Sequence, residues 1–229
     1  MDHNKLLARY IFSGVVGVLG MAAVLFLAAG TFEWPGAWAA VAVMTVWTAG
    51  MIAVMGWIQP GLLEQRLGAN REKNSTDAIL VSLINLTSFI RYIVAGLDFR
   101  NGWSGAFPAG AQIAALLVCF LGYDLIFLWA ISSNGFFSQI ARIQTERGQT
   151  VVTAGPYRLV RHPGYLGVIL FELAVCILLG SWWALIASAV SVALIVIRTS
   201  IEDRMLKAQL PGYAEYAQRV RYRLLPGIW

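Results

Sequence analysis

The residues best suited to chemistry in this chain lie together in a short polar segment, residues 155–165, directly before an apolar run. Arg161 offers a fixed cationic fork that binds anions bidentately, and His162 carries a ring that titrates near neutral pH. Pro163 is typical of the first turn of a helix, and Gly155 allows a ligand to approach the backbone closely. This combination predicts a binding site for a charged ligand at the mouth of a helix.

Two acidic residues further along the chain complete the chemistry of this site. Glu202 and Asp203 follow the last apolar run, and we expect them to begin a separate polar helix there. Carboxylates that face Arg161 and His162 could hold the ammonium or hydroxyl groups of a zwitterionic ligand. The alternative is an ion pair between Glu202 and Arg198, which lies four residues earlier on the same helix face.

The composition indicates that membrane-spanning helices position these residues. Apolar residues make up 59% of the chain and charged residues 13%, and the mean hydropathy is +0.67, whereas a soluble domain is about 25% charged. Cys119 and Cys176 both fall in apolar runs, so they are interpreted as core residues rather than metal ligands or a disulfide. The sequence therefore predicts one all-α, polytopic bundle and neither a metal site nor a nucleic-acid partner.

Five apolar runs are long enough to cross about 30 Å of hydrocarbon. They comprise residues 11–30, 36–58, 78–97, 109–131 and 165–197. Because Gly180 and Ser181 lie midway along the last run, we expect a helical hairpin there that Pro163 opens and Arg198 closes. This reading gives about six spans, followed by a C-terminal helical segment.

The basic residues outside these runs predict the orientation. With six crossings nearly all of them fall on one side, and the other side receives Arg100. The positive-inside rule then places both termini and the polar segment in the cytoplasm, as in a multi-pass protein of a bacterial inner membrane. Several tryptophans near the ends of the runs are expected to lie at the membrane interface. They are Trp38, Trp47, Trp57, Trp103, Trp129, Trp182 and Trp183.

Three ionisable residues, Arg91, Asp124 and Glu172, fall within the predicted spans. Ionisable groups at membrane depth are functional candidates by default, because burying a charge in hydrocarbon is costly. We favour a buried ion pair of Arg91 with either Asp124 or Glu172. Contact with a substrate is the alternative.

Five short motifs follow one another in the C-terminal half of the chain. They are T-A-G-P-Y at 153–157, R-H-P-G-Y-L-G at 161–167, E-D-x-x-L at 202–206, G-Y-x-x-Y at 212–216 and L-P at 225–226. Their order resembles that of the isoprenylcysteine carboxyl methyltransferase family and its phospholipid N-methyltransferase relatives. The resemblance covers residues 134–226.

This resemblance implies methyl transfer from S-adenosylmethionine to a lipophilic acceptor that enters from the bilayer and presents a carboxylate, an amine or a thiol. It implies catalytic roles for Arg161, nearest the acceptor, and for Glu202. The residues expected along the cofactor are Gly155, Pro156, Tyr157, His162, Pro163, Tyr165, Glu202 and Asp203. The residues expected toward the acceptor are Asn134, Arg91 and Glu172.

The resemblance also predicts that the chain divides into two regions with different roles. Residues 1–132 would form N-terminal transmembrane helices that admit the acceptor, and residues 133–229 would form the methyltransferase core. Two alternatives stay open at this point. One is a membrane NADPH-dependent reductase of the sterol-reductase type, because such enzymes resemble this family in their terminal helices. The other is a non-catalytic transporter or scaffold in which the intramembrane charges form a polar pathway.

Overall fold

The structure is a computed structural model that describes residues 3–67 and 75–229. Arg71 and Lys73, which contribute to the predicted charge bias, lie outside the described residues. The helices are α1 His3–Ala29, α2 Pro35–Ala53, α3 Pro60–Leu67, α4 Ser75–Asn101, α5 Ala109–Cys119, α6 Leu128–Ser132, α7 Pro163–Leu179, α8 Trp182–Gln209 and α9 Tyr213–Arg219. Two π-helical segments, Val54–Ile58 and Phe120–Phe127, continue α2 and α5. The predicted all-α class is confirmed.

Five helices are long and apolar enough to cross a membrane. They are His3–Ala29, Pro35–Ile58, Thr76–Asn101, Ala109–Ser132 and Trp182–Gln209. The 17-residue helix α7 is also apolar but shorter, about 25 Å at 1.5 Å per residue. These helices make a multi-pass bundle of five candidate spans, with α7 as a shorter apolar helix in the place of the sixth predicted span.

Several polar segments gather at one end of the bundle, called here the site end. Gln59, which follows α2, donates a hydrogen bond to the carbonyl of Ser132 at the end of α6. Asp77 at the start of α4 accepts hydrogen bonds from Arg198 of α8 at 2.8 and 2.9 Å. Leu6 of α1 packs in the same region. The folded chain therefore brings the long loop before α7 and the end of α8 to the same end.

The turn between α7 and α8 forms at the predicted residues. Gly180 has a φ of +72°, the left-handed conformation that ends many helices and favours glycine. Ser181 caps α8, because its hydroxyl accepts the N–H of Ala184 at 3.0 Å and donates to Asp98. Pro163 begins α7, as predicted.

The prediction that the last span ends at Arg198 is wrong, as is the prediction of a separate helix near Glu202. Helix α8 continues to Gln209, because no Gly or Pro interrupts it and Lys207 pairs with Asp203 one turn away at 3.0 Å. The two carboxylates are therefore positioned by the spanning helix itself.

Helices α5 and α7 approach each other closely at two glycines. A Cβ on Gly167 would lie 2.4 Å from the carbonyl oxygen of Gly122, and one on Gly122 would lie 2.6 Å from that of Gly167. Gly122 belongs to a π-helical segment, a feature often found at functional sites. Beside the contact, the rings of Tyr123 and Phe171 stack with centroids 4.1 Å apart. This packing brings an aromatic surface against the middle of α7.

Of the two ion pairs considered for Arg91, the one with Glu172 forms. Nη1 of Arg91 lies 2.5 Å from Oε2 of Glu172, and both side chains are buried. Within residues 3–67 and 75–229, the carboxylate oxygens of Asp124 have no hydrogen-bond partner. Cys119 and Cys176 are buried and free, as predicted for core residues.

Candidate active site

The loop before α7 is held against the C-terminal segment by backbone hydrogen bonds. The N–H of Arg161 donates to the carbonyl of Tyr222 at 3.0 Å, and the N–H of His162 donates to that of Arg223 at 2.9 Å. Nη1 of Arg161 donates to two further carbonyls of the C-terminal segment at 2.7 Å each. The two stretches that carry the candidate residues therefore meet at the site end.

Asp203 lies at the centre of this junction. Its carboxylate is fully buried and contacts five side chains from the loop, α8, α9 and the C-terminal segment. They are Arg161, His162, Lys207, Tyr213 and Arg223. Arg161 binds bidentately, through Nε at 2.7 Å and Nη2 at 3.2 Å. Such dense pairing offsets the cost of taking the carboxylate out of water.

Glu202, the neighbouring residue, has a different environment. It is half-buried, lines the cavity described below and accepts a hydrogen bond from the hydroxyl of Tyr165 at 2.5 Å. Among the described residues, Arg198 does not form the alternative ion pair with Glu202, because its guanidinium binds Asp77. The Glu202 carboxylate thus keeps acceptor capacity that faces the cavity.

A cavity of about 610 Å³ extends from the site end into the bundle. This volume lies in the range of pockets that hold small molecules and cofactors. The predicted site residues that line it are Asn134, Tyr157, Arg161, His162, Tyr165, Glu172 and Glu202. Those that do not line it are Gly155, Pro156, Pro163, Asp203 and Arg91. The second group is placed to support the wall that the first group forms.

Tyr157 connects the loop to both neighbouring segments. Its hydroxyl accepts from the side-chain amide of Asn134 at 3.1 Å, and its carbonyl accepts from the hydroxyl of Tyr216 at 2.7 Å. Burial raises the pKa of the Tyr157, Tyr213 and Tyr216 hydroxyls above the usual value. These groups therefore stay protonated at neutral pH and remain hydrogen-bond donors.

Two residues of the site were missed in the sequence. Asp77 is buried and binds both Arg198 and the N–H of Ala141, which ties α4 and α8 to the long loop. Trp47, predicted to lie at the membrane interface, instead lines the cavity and stacks on Tyr123 with centroids 5.0 Å apart. That prediction was wrong because Trp47 lies in the middle of a helix that continues to Ile58.

Comparison with known proteins identifies the family. The model of the isoprenylcysteine carboxyl methyltransferase (ICMT) family matches residues 114–208. Protein-S-isoprenylcysteine O-methyltransferase B of Arabidopsis thaliana is 32% identical over 144 residues, which cover 62% of this chain and 70% of that protein. This chain belongs to the ICMT family. The predicted resemblance, and with it a membrane methyltransferase of this family, is confirmed.

Two further similarities are more limited, one to part of the sequence and the other to the fold. The cobalt-zinc-cadmium resistance protein CzcN of Cupriavidus metallidurans is 41% identical over 86 residues, or 34% of this chain. The chain matches 36% of the length of that relative. Residues 3–67 and 75–229 contain no group of three His, Cys, Asp or Glu residues that could hold a metal ion.

The second similarity is to a solved structure. The eukaryotic intramembrane Ras methyltransferase ICMT, solved without a monobody, superposes with a TM-score of 0.56 at 22% identity. The match covers 92% of this ICMT-family chain and 74% of the other. At that identity it shows a common fold.

Proposed function

We propose that this ICMT-family protein transfers the methyl group of S-adenosylmethionine to a lipophilic acceptor that enters from the bilayer. The observation that carries the proposal is the single cavity that joins Tyr157, His162 and Glu202 at the site end to the interior of the membrane-spanning bundle. A polar cofactor and an apolar acceptor would meet in such a space. The use of S-adenosylmethionine by this family supports the identity of the cofactor.

The cavity wall offers groups that fit S-adenosylmethionine. Glu202 supplies a carboxylate for its ammonium or ribose hydroxyl groups. His162 and Tyr165, whose rings are nearly parallel with centroids 5.8 Å apart, supply an aromatic surface beside that carboxylate. When bound, the cofactor supplies an activated methyl carbon, which accepts an electron pair from the acceptor atom as its bond to sulfur breaks.

The protein's own contribution would be positioning and exclusion of water. Holding the reacting atoms about 3 to 3.5 Å apart removes much of the entropic barrier. Most residues of the cavity's inner wall lie within membrane-spanning helices, which keeps water out. A carboxylate acceptor would gain most from this, because its charge is neutralised as the sulfonium charge disappears.

Arg161 is best described as a positioning residue. Its Nε, Nη1 and Nη2 nitrogens all donate to Asp203 or to carbonyls of the C-terminal segment. These contacts fix the loop and so hold His162 against the cavity. A direct role of Arg161 at the acceptor, as the family resemblance implies, stays a prediction.

We further propose that the site end and both termini face the cytoplasm. The basic residues of the loops and the C-terminal segment support this orientation through the positive-inside rule. The division into acceptor-admitting helices over 1–132 and a methyltransferase core over 133–229 is likewise a proposal, supported by the family match that begins at residue 114.

Titration of the detergent-solubilised protein with S-adenosylhomocysteine and with NADPH tests the function. We expect saturable binding of S-adenosylhomocysteine and none of NADPH. Binding of NADPH alone would reject methyl transfer in favour of the reductase alternative. Binding of neither would favour a transporter or scaffold.

Replacing Gly155 by alanine should weaken S-adenosylhomocysteine binding. Gly155 has a φ of +56°, and its Cβ would lie 2.3 Å from Oγ of Ser133, so the loop must shift. The left-handed strain alone costs about 1–3 kcal/mol. The matched control is Gly148→Ala, which has a φ of +61° and open space around the new Cβ. Isothermal titration should show the loss in Gly155→Ala only; an equal loss in both variants would contradict the role of the Ser133 contact.

A further inference from the structure

The inner end of the cavity is polar, although it lies midway along membrane-spanning helices. Helix α4 contributes Ser82, Asn85 and Ser88, spaced along one face, and α7 contributes Glu172. Ser82 and Ser88 have partners within the bundle, the carbonyl of Ala78 and the carboxylate of Glu172, but their oxygens can accept further hydrogen bonds. A cavity for a plain hydrocarbon would not need a polar lining, because burying polar groups is costly. This lining indicates a bound molecule that carries a polar group at its inner end.

The state of Glu172 limits what that polar group can be. Glu172 is 2% exposed, and its Oε1 accepts a hydrogen bond from Ser88 at 3.1 Å. Its Oε2 forms the ion pair with Nη1 of Arg91 at 2.5 Å. Because the pair with Arg91 is neutral overall, a cationic ligand would bring an uncompensated charge into the bundle. A neutral hydrogen-bond donor fits better, because each carboxylate oxygen can accept a second hydrogen bond.

Trp47 offers the complementary group. It lines the same cavity, its indole N–H is buried, and no side chain or carbonyl in the described part of the chain accepts a hydrogen bond from it. A continuous series of ring stacks, Trp47 on Tyr123 and Tyr123 on Phe171, leads to the residue next to Glu172. A hydroxyl both donates to a carboxylate and accepts from an N–H, so it is the group whose chemistry complements both residues that line this cavity.

We propose that the methyl acceptor carries a hydroxyl group, remote from the methylated atom, that binds between Glu172 and Trp47. This inference rests on the proposed function and names the acceptor class more closely. Tyr165, the partner of Glu202, lies seven residues before Glu172 on α7, a rise of about 10 Å. An octyl chain matches that separation.

Calorimetric titration of the S-adenosylhomocysteine-saturated protein tests the proposal. The probes are matched octyl compounds that end in a thiol, an amine or a carboxylate, each with and without a hydroxyl on the terminal carbon. For at least one pair we expect the hydroxylated probe to bind about tenfold more tightly, since one good hydrogen bond corresponds to about that factor. In Trp47→Phe and Glu172→Gln the ratio of the two affinities should fall toward one.

Ser88→Ala and Ser191→Ala form the matched control. Both remove a hydroxyl from the bundle, but Ser88 contacts Glu172 in the cavity, whereas Ser191 does not line the cavity. The preference should decrease in Ser88→Ala and persist in Ser191→Ala. Equal binding within every pair, no binding of any probe, or an unchanged preference in both Trp47→Phe and Glu172→Gln would overturn the proposal. Retained binding of S-adenosylhomocysteine in those cases would leave the proposed function intact.

Discussion

Glu202→Gln should bind S-adenosylhomocysteine about 10- to 100-fold more weakly than the unmodified protein and lose most of its turnover. The carboxylate lines the cavity, and a hydrogen bond to a charged group contributes about 1.5–3 kcal/mol. Glutamine still accepts the hydrogen bond from Tyr165, so the fold should be preserved. Isothermal titration gives the affinity, and the thermal unfolding midpoint in detergent reports the fold.

Glu215→Gln is the matched control for this change. Glu215 is an exposed acidic residue in the first turn of α9, at the same end of the protein. Its substitution makes the same change in charge but should leave affinity and turnover as they are. An affinity that is unchanged in Glu202→Gln, or that falls equally in both variants, would remove Glu202 from the cofactor site.

Asp203→Asn should instead destabilise the fold, by about 3–5 kcal/mol. The substitution removes the charge that compensates Arg161, whose side chain is 4% exposed and has little access to water. Lys207 and Arg223 are more exposed, at 38% and 25%, and can turn to solvent. We therefore expect a lower unfolding midpoint, measured by circular dichroism in detergent. Loss of cofactor binding should follow, because the loop and the C-terminal segment separate.

The double variant Arg161→Gln, Asp203→Asn checks this cause. Once both charges are gone, neither substitution leaves the other residue's charge buried without its partner, so the loss of stability should be smaller than the sum of the two single losses. Strictly additive losses would show that the two residues act independently. A stability of Asp203→Asn equal to that of Glu202→Gln would show that these neighbours do not have the separate roles inferred here.

The sequence predicted the class of fold and the meeting of the two motif-bearing stretches, because hydrophobic runs and their turns are local signals. The Gly180 and Ser181 turn and the start of α7 at Pro163 are cases of this kind. The end of α8 was misplaced because Arg198 looked like a membrane boundary. Its charge is in fact neutralised by Asp77, a partner more than a hundred residues away that no local pattern reveals.

The sequence also did not predict that Glu202 and Asp203 have different environments. Adjacent residues on a helix point in directions about 100° apart. Which of the two faces the cavity depends on how α8 is rotated against α4, α7 and α9. That rotation is fixed by contacts such as Arg198 with Asp77 and Tyr213 with Asp203. The motif marked both acids as candidates but could not separate them.

Helix α8 is uninterrupted from Trp182 to Gln209, so it fixes the spacing of the residues that it contributes to the cavity wall. Ile195, deeper in the bundle, and Glu202, at the site end, both line the cavity from this one helix. The helical pitch therefore sets both their spacing and the angle between them. One residue inserted between them would swing the outer carboxylate by about 100° while leaving the inner end in place. A relative that binds a longer or shorter molecule would therefore have to change the size of the cavity through the residues of the other helices that line it.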